Sequence, residues 1–249
     1  VHVAGEGAVR EVAAYVLDHG SFAGVPPTAL VSAYISSDEG HGVTKVGSLQ
    51  QFVPSESDAE ERGYSSFSVD SVHRLAVLDI RLANADRNGG NILCQRGEDD
   101  SWRLIPIDHG YCLPSSFEDL SWEWQYWPQA EQAFSQPTLD YIAALDADRD
   151  LETLAVHGIV LSHDAVRVFK VCTMLLKKAA AAGLSAAQVA AIACREGMTK
   201  SALEKLHSNA LQLAKASSGS SQNMDVYLQH MEDLISELVD EHLLDNVSA

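Results

Sequence analysis

Between residues 8 and 18 (AVREVAAYVLD) the apolar positions Val9, Val12, Ala13 and Val16 recur at steps of three and four. That spacing stacks them on one face of a helix. Gly20–Pro27 breaks the period, and Thr28–Ile35 and Val43–Val53 then predict two strands across a Gly-rich turn at Gly40–Gly42. Residues 54–68, rich in Ser, Asp and Glu, predict a polar loop. Helical spacing returns over Ser71–Leu82 through Val72, Leu75, Ala76 and Leu82. Asn91–Gln95 and Arg103–Ile107 are short apolar runs joined by RGEDDSW, which predicts a hairpin with a polar tip. Beyond Pro114 the pattern is helical over Leu139–Leu145, Val166–Ala182, Ala186–Glu196 and Lys200–Ala216, with Ser185 placed to cap the third of these. SSGSSQN at 217–223 predicts a linker. In Met224–Leu244, Met224, Leu228, Met231, Ile235 and Leu238 alternate steps of four and three, a stripe that packs on the body more often than on a partner coil. A few strands and one helix followed by a helical half make an α+β chain of two lobes.

Charge narrows what such a chain touches. At 249 residues and net −18 it has room for a sizeable core but no general attraction for nucleic acid or anionic lipid. Any phosphate or membrane contact is then local and peripheral. No apolar run reaches the length of a bilayer span, and VHVAGEGAVREV lacks the charged start and apolar core of a signal peptide. Four cysteines lie far apart with no CxxC and no Cys/His cluster, which points to a reducing, cytoplasmic setting and away from disulfides or zinc. The Asn246-Val-Ser pattern, without a secretory signal, is read as chance.

Chemistry concentrates in NADRNGGNIL, residues 84–93. Asp86 and Asn91 stand five positions apart, and Asp108-His109-Gly110 follows 22 residues after Asp86, across the predicted hairpin. Phosphoryl transfer places an acceptor hydroxyl in line with a γ-phosphate and neutralises developing charge with metal ions. A loop Asp, an Asn five residues on and a later Asp-x-Gly is the kinase arrangement for that task. Asp86 would orient the hydroxyl and take its proton. Asn91 and Asp108 would hold Mg²⁺, a hard cation suited to oxygen ligands. Gly89 and Gly90 would keep the loop clear of side-chain clashes. On spacing alone an Asn/Asp loop capping a hairpin remains an equal reading. Arg87 is expected to steer phosphate and Arg81 to pair structurally. GEGAVR opens like a dinucleotide loop, but Arg10 stands at the third glycine position, so that motif is weak. Trp122, Trp124, Tyr126 and Trp127 suit either a lipid boundary or, the favoured reading, packing on the helical half. Lys177-Lys178 is read as solvated, and His109 as packed locally rather than as a metal ligand.

LDIRLANADRNGGNIL followed by LIPIDHGYCLP resembles the catalytic core of the phosphatidylinositol 3-/4-kinase superfamily, most closely the gamma class of phosphatidylinositol 4-kinases, relatives of the type II enzymes. The resemblance extends through REVAAYVLDH, FAGVPPTALV, KVGSLQQFV, FEDLSWEWQYWPQA and VCTMLLKKAAAAGL, most of residues 5–196. It implies a bilobal kinase fold with a truncated N-lobe and a mostly helical C-lobe. Residues 1–53 would be the N-lobe remnant and hinge, 54–216 the helical lobe carrying both loops, and 217–249 the linker and terminal helix. It further implies transfer from ATP to an inositol-lipid hydroxyl, with Asp86 as acid/base, Asn91 and Asp108 as Mg²⁺ ligands, and Gln50, Gln51, Phe52 and Val53 as the adenine-binding hinge. Two positions depart from the family. Asn88 stands where His is common, so this position carries no proton. The family's ATP-binding Lys would lie upstream of Val1; Lys45, the one Lys before residue 170, aligns with the strand entering the hinge. Glu11 is the candidate partner for that Lys, with Glu6 second. A protein Ser/Thr kinase on the same frame, or an inactive binding module, are the competing expectations.

Overall fold

The computed structural model describes residues 6–36, 42–98, 100–117 and 119–248, with side chains to 244. The VHVA segment, Gly5 of the Gly-x-Gly pair and most of the predicted Gly-rich turn lie outside them. Helix α1 (Glu6–Leu17) turns Val12, Ala13, Ala14 and Leu17 inward. Strands β1 (Thr28–Ser36) and β2 (Gly42–Gln50) pair antiparallel, Thr28 opposite Gln50 and Ser36 opposite Gly42. Of this hairpin only Thr28 is buried. The ladder stops at Gln50, short of the expected Val53: Gln51 N–H still donates in register to the Pro27 carbonyl (2.8 Å), but Pro27 has no N–H to return the bond.

The expected polar loop holds structure. Strand β3 (Ser57–Asp58) leads into helix α2 (Ala59–Arg62), whose first turn is capped by the Asp58 carboxylate accepting from Glu61 N–H at 2.8 Å. Two- and four-residue elements are too short to show a period, so the sequence pattern passes over them. Helix α3 (Val69–Leu82) begins at Ser68, whose hydroxyl accepts from Ser71 N–H, and ends at Ala83 in the left-handed region (φ 48°). Its last turns are buried on all sides, so Asp79 and Arg81 go inward with the leucines. Strands β4 (Ile92–Arg96) and β5 (Trp102–Pro106) form the expected hairpin, Ile92 opposite Pro106, and β3 joins the outer edge of β4.

The helical lobe comprises α4 (Gln136–Ala144), α5 (Ala147–Val156), α6 (His163–Ala181), α7 (Ala186–Ala193), α8 (Ala202–Ser218) and α9 (Met224–Ser248). Ser185 caps α7 as expected, in a reciprocal box with Gln188. Helix α5 goes unpredicted: acids and Arg149 crowd its first turns, and Asp150 spends its charge inside on Arg81. The α9 stripe packs on the body, against α6 and α8. Its fully buried line is Tyr227, Met231, Ile235 and Val239, a steady step of four, with Leu228 and Leu238 only at its margin.

His73, buried on α3, places Nε2 3.0 Å from the Gln129 carbonyl and its ring edge-on to Phe134. Burial holds its pKa below the ordinary value, against the opposing pull of the Gln129 carbonyl and the Asp70 charge. The unfolded chain therefore binds a proton below about pH 6.5 that the folded chain refuses, so stability is lost as pH falls. We expect urea-unfolding free energies to drop by up to about 1.4 kcal/mol per pH unit below that point from this group, and the slope to flatten in His73→Gln.

Candidate active site

The loop after α3 is fastened from below. The Asp79 carboxylate accepts from Arg87 Nε (3.0 Å to each oxygen), from Trp124 Nε1 (2.9 Å) and from Asn84 Nδ2 (3.2 Å). Arg87 Nη1 donates in turn to the carbonyls of Asn91 (2.6 Å) and Ile107 (2.7 Å). Those carbonyls sit at the two feet of the β4–β5 hairpin. Ile107 N–H also donates to Asn91 O (3.1 Å), so Asp108 begins directly beside Asn91. The spacing argument expected this juxtaposition, and the hairpin supplies it. Arg87 itself is a correction: its side chain is fully enclosed against Asp79, so it ties the loop together and does not reach out to steer phosphate.

Asp86 is partly exposed at the surface of this loop. One carboxylate oxygen accepts from Asn88 Nδ2 (3.1 Å), and the Asp86 carbonyl accepts from Asn91 Nδ2 (3.0 Å). Asn88 therefore does what a neutral side chain can do at this position: it holds the acid by a hydrogen bond. Asn91's amide N is committed, and its Oδ1 has no partner among the described residues. Asp108 is exposed with φ 54°, a left-handed conformation that Asp tolerates better than most residues. Gly89 keeps the loop clear of a clash as expected, since a Cβ there would meet the Glu60 backbone N at 2.9 Å. Close packing of α2 demands that glycine.

Glu11 reaches this site by an unexpected route. Its Oε1 accepts the His109 N–H (2.6 Å), and Oε2 lies 3.4 Å from His109 Nδ1. It thus clamps α1 to the Asp-His-Gly turn and pairs with no Lys among the described residues. Glu6 pairs with Arg10 (3.4 Å), which also donates to Gly110 O (3.3 Å). Lys45 lies exposed on β2. His109 is buried, and burial, opposed by Glu11, keeps its imidazole below the ordinary pKa. At the expected hinge, Gln50 Nε2 donates to Thr28 Oγ1 (2.9 Å) and Phe52 is 85 % exposed. The backbone N–H groups of Phe52 and Val53 have no partner among the described residues.

The aromatic segment seals the floor of the loop. Trp122 Nε1 donates to Asn84 O (2.6 Å), Trp122 and Trp124 stack at 5.2 Å, and both are buried with Trp127. Packing, not a lipid boundary, accounts for the tryptophans; Tyr126 alone is exposed. Lys177 and Lys178 are likewise not simply solvated: one donates to Leu145 O and the other pairs with Glu232 (3.1 Å). Arg81 pairs with buried Asp150 and donates to Leu17 O (2.8 Å), the structural role expected of it.

Residues 2–189 match the family model for phosphatidylinositol 3- and 4-kinase. The chain belongs to the phosphatidylinositol 3- and 4-kinase family. It is 52 % identical over 207 residues to phosphatidylinositol 4-kinase gamma 4 of Oryza sativa subsp. japonica, covering 79 % of this chain and 36 % of the relative. Against phosphatidylinositol 4-kinase gamma 4 of Arabidopsis thaliana the identity is 47 % over 213 residues, 80 % of this chain and 38 % of the relative. Gamma 8 of the same plant aligns over 94 % of this chain and 47 % of its own length, at 42 % identity. The chain thus spans between about a third and a half of these curated relatives. As in a kinase of this family, a small sheet lobe stands beside a larger helical lobe, the α+β arrangement expected from the pattern. Among the described residues no helix is long and apolar enough to cross a membrane.

Proposed function

We propose that this domain transfers the γ-phosphate of ATP to a hydroxyl of an inositol lipid. The observation that carries the reading is the convergence of Asp86, Asn91 and Asp108 at the feet of one hairpin, all fastened by the Asp79–Arg87 pair. Asp86 would accept a hydrogen bond from the lipid hydroxyl and take its proton, with Asn88 Nδ2 fixing the carboxylate's rotamer. The unpaired N–H groups of Phe52 and Val53 suit the edge of an adenine ring.

Metal fit follows from the donor set. Among the described residues no three His, Cys, Asp or Glu converge as a self-sufficient cage. Asn91 Oδ1 and the Asp108 carboxylate are two hard oxygen donors with room for others, which suits Mg²⁺ shared with substrate phosphates. When bound, the ion would neutralise charge on the phosphates. Glu11, engaged by His109, keeps Asp108 at a fixed place relative to α1. The inositol-lipid substrate is carried over from the relatives' names, and at a net charge of −18 any contact with anionic lipid would be peripheral and through a local patch.

The test is transfer of labelled phosphate from ATP·Mg²⁺ to phosphatidylinositol vesicles, run beside a generic protein substrate. Label in the lipid is expected. Label in protein alone replaces the lipid assignment with a protein-kinase one, and label in neither overturns the activity for this chain.

A further inference from the structure

Downstream of the Asp-His-Gly turn, Ser115 and Ser116 open onto a cavity of about 250 Å³ shared with Asp164 and Arg167 of α6, His207 of α8 and Gln222. Both serines are exposed, and neither hydroxyl has a hydrogen-bond partner among the described residues. Arg167, by contrast, is 5 % exposed. Its Nη1 donates to Asp164 (3.1 Å), its Nη2 reaches Ser221 O (3.3 Å) and Gln222 Oε1 (3.5 Å), and its plane lies 4.9 Å from the Tyr227 ring centre. The buried Nε–H is left without any partner. The guanidinium's one carboxylate, Asp164, is itself 57 % exposed and free to turn to water.

A buried arginine with an unspent N–H, beside two unbonded serine hydroxyls, is an incomplete site. A phosphate completes it, one oxygen accepting from the unspent Nε–H and a second drawing Nη2 from its long 3.3 and 3.5 Å contacts, so that the fork closes on both. The cavity also borders the first turns of α6, a 19-residue helix whose N-terminal end favours negative charge. His207, its Nδ1 2.7 Å from Tyr227 Oη and its ring 4.8 Å from Phe117, supplies the remaining polar wall.

We infer that Ser115–Ser116 is a phosphorylation site whose phosphate seats on Arg167 and His207, pinning the segment after the Asp-His-Gly turn to α6 and α8. The step requires a serine kinase and ATP. A bond forms between the serine Oγ and the γ-phosphorus, the bond from that phosphorus to the bridging oxygen of ADP breaks, and ADP leaves with the electron pair. The hydroxyl proton passes to the transferring kinase's base. Covalent attachment at the rim gives the phosphate a high effective concentration over the cavity, which a free anion lacks.

The experiment installs phosphoserine during translation at position 115 or 116 of the 249-residue chain and titrates it by phosphorus NMR, folded and in urea. Facing the phosphate are Arg167, His207 and Asp164, with Lys200 close enough to His207 to act on it. The second phosphate pKa, about 6 when free, is expected to fall by about one unit in the folded chain for at least one site, a tenfold gain for the dianion. Arg167→Gln is expected to return it to the urea value; if that variant does not fold, the folded-versus-urea comparison in the unsubstituted chain decides alone. Both phosphoserines titrating as in urea would overturn the inference. So would a shift of the Arg167 Nε–H resonance by inorganic phosphate with neither phosphoserine perturbed, which assigns the cavity to a free anion. No activity of the chain enters this readout, so its failure is separate from failure of the phosphotransferase reading.

Discussion

In Asp86→Asn, transfer of phosphate to phosphatidylinositol is expected to fall by about 10²–10⁴-fold, with the KM for ATP within about twofold. The substitution keeps the shape of the side chain and can keep its contact with Asn88 Nδ2 through the amide oxygen. What it removes is the carboxylate that would draw the acceptor proton. The Asp86 carboxylate bonds only to exposed Asn88 among the described residues, so the urea midpoint should stay where it was. That separation is the point of the experiment: activity lost with stability unchanged assigns Asp86 to the reaction. Asn88→Ala is the companion variant. It frees the carboxylate's rotamer but leaves its basicity, so its loss should be much smaller than that of Asp86→Asn. Equal activity in Asp86→Asn and the unsubstituted chain would remove Asp86 from the mechanism.

How far the sequence disclosed this site depends on the kind of residue. That Asp86, Asn91 and Asp108 come together was legible because the apolar runs that build β4 and β5 are short but clean and predict the hairpin between them. The helices with one apolar face were legible for the same reason. Burial of charge was not. Asp79 falls in the middle of α3's apolar stripe, four after Leu75 and three before Leu82, yet nothing in residues 78–93 says that Trp124, some 45 positions later, will close over it. Arg87 was misassigned on that account: beside Asp86 it looks like a phosphate contact, while its partners are a helix acid and two carbonyls. Glu11 was legible only through the family resemblance, as the candidate partner of an upstream Lys. Its partner was not, being a backbone N–H in a turn 98 positions away, a group that leaves no mark in side-chain patterns. The two residues of β3 and four of α2 escaped because periodicity needs length, and with them went the neighbour, Glu60, that Gly89 must clear.

Asp79→Ala is expected to cost about 3–5 kcal/mol, enough to consume much of a domain's margin of about 5–15 kcal/mol. Three donors lose their acceptor at once: Arg87 Nε, Trp124 Nε1 and Asn84 Nδ2. The worst of these is Arg87, whose charge stays wholly buried with Nη2 already unpaired. A buried ion pair is poor evidence of stability in itself, since apolar residues of matching shape can serve as well. Asp79→Leu combined with Arg87→Met is therefore expected to regain part of the loss in urea unfolding followed by tryptophan fluorescence. Activity should not return with it. The double variant has no guanidinium to bridge Asn91 O and Ile107 O, so the two feet of the hairpin lose that shared tether and Asn91 is left on the Ile107 N–H bond and its own loop contacts. Stability recovered without phosphate transfer would show that the pair is kept for position. A single Asp79→Ala chain within about 1 kcal/mol of the original would instead mean that water reaches Arg87, and that the loop is held by its own Asn88 and Asn91 hydrogen bonds.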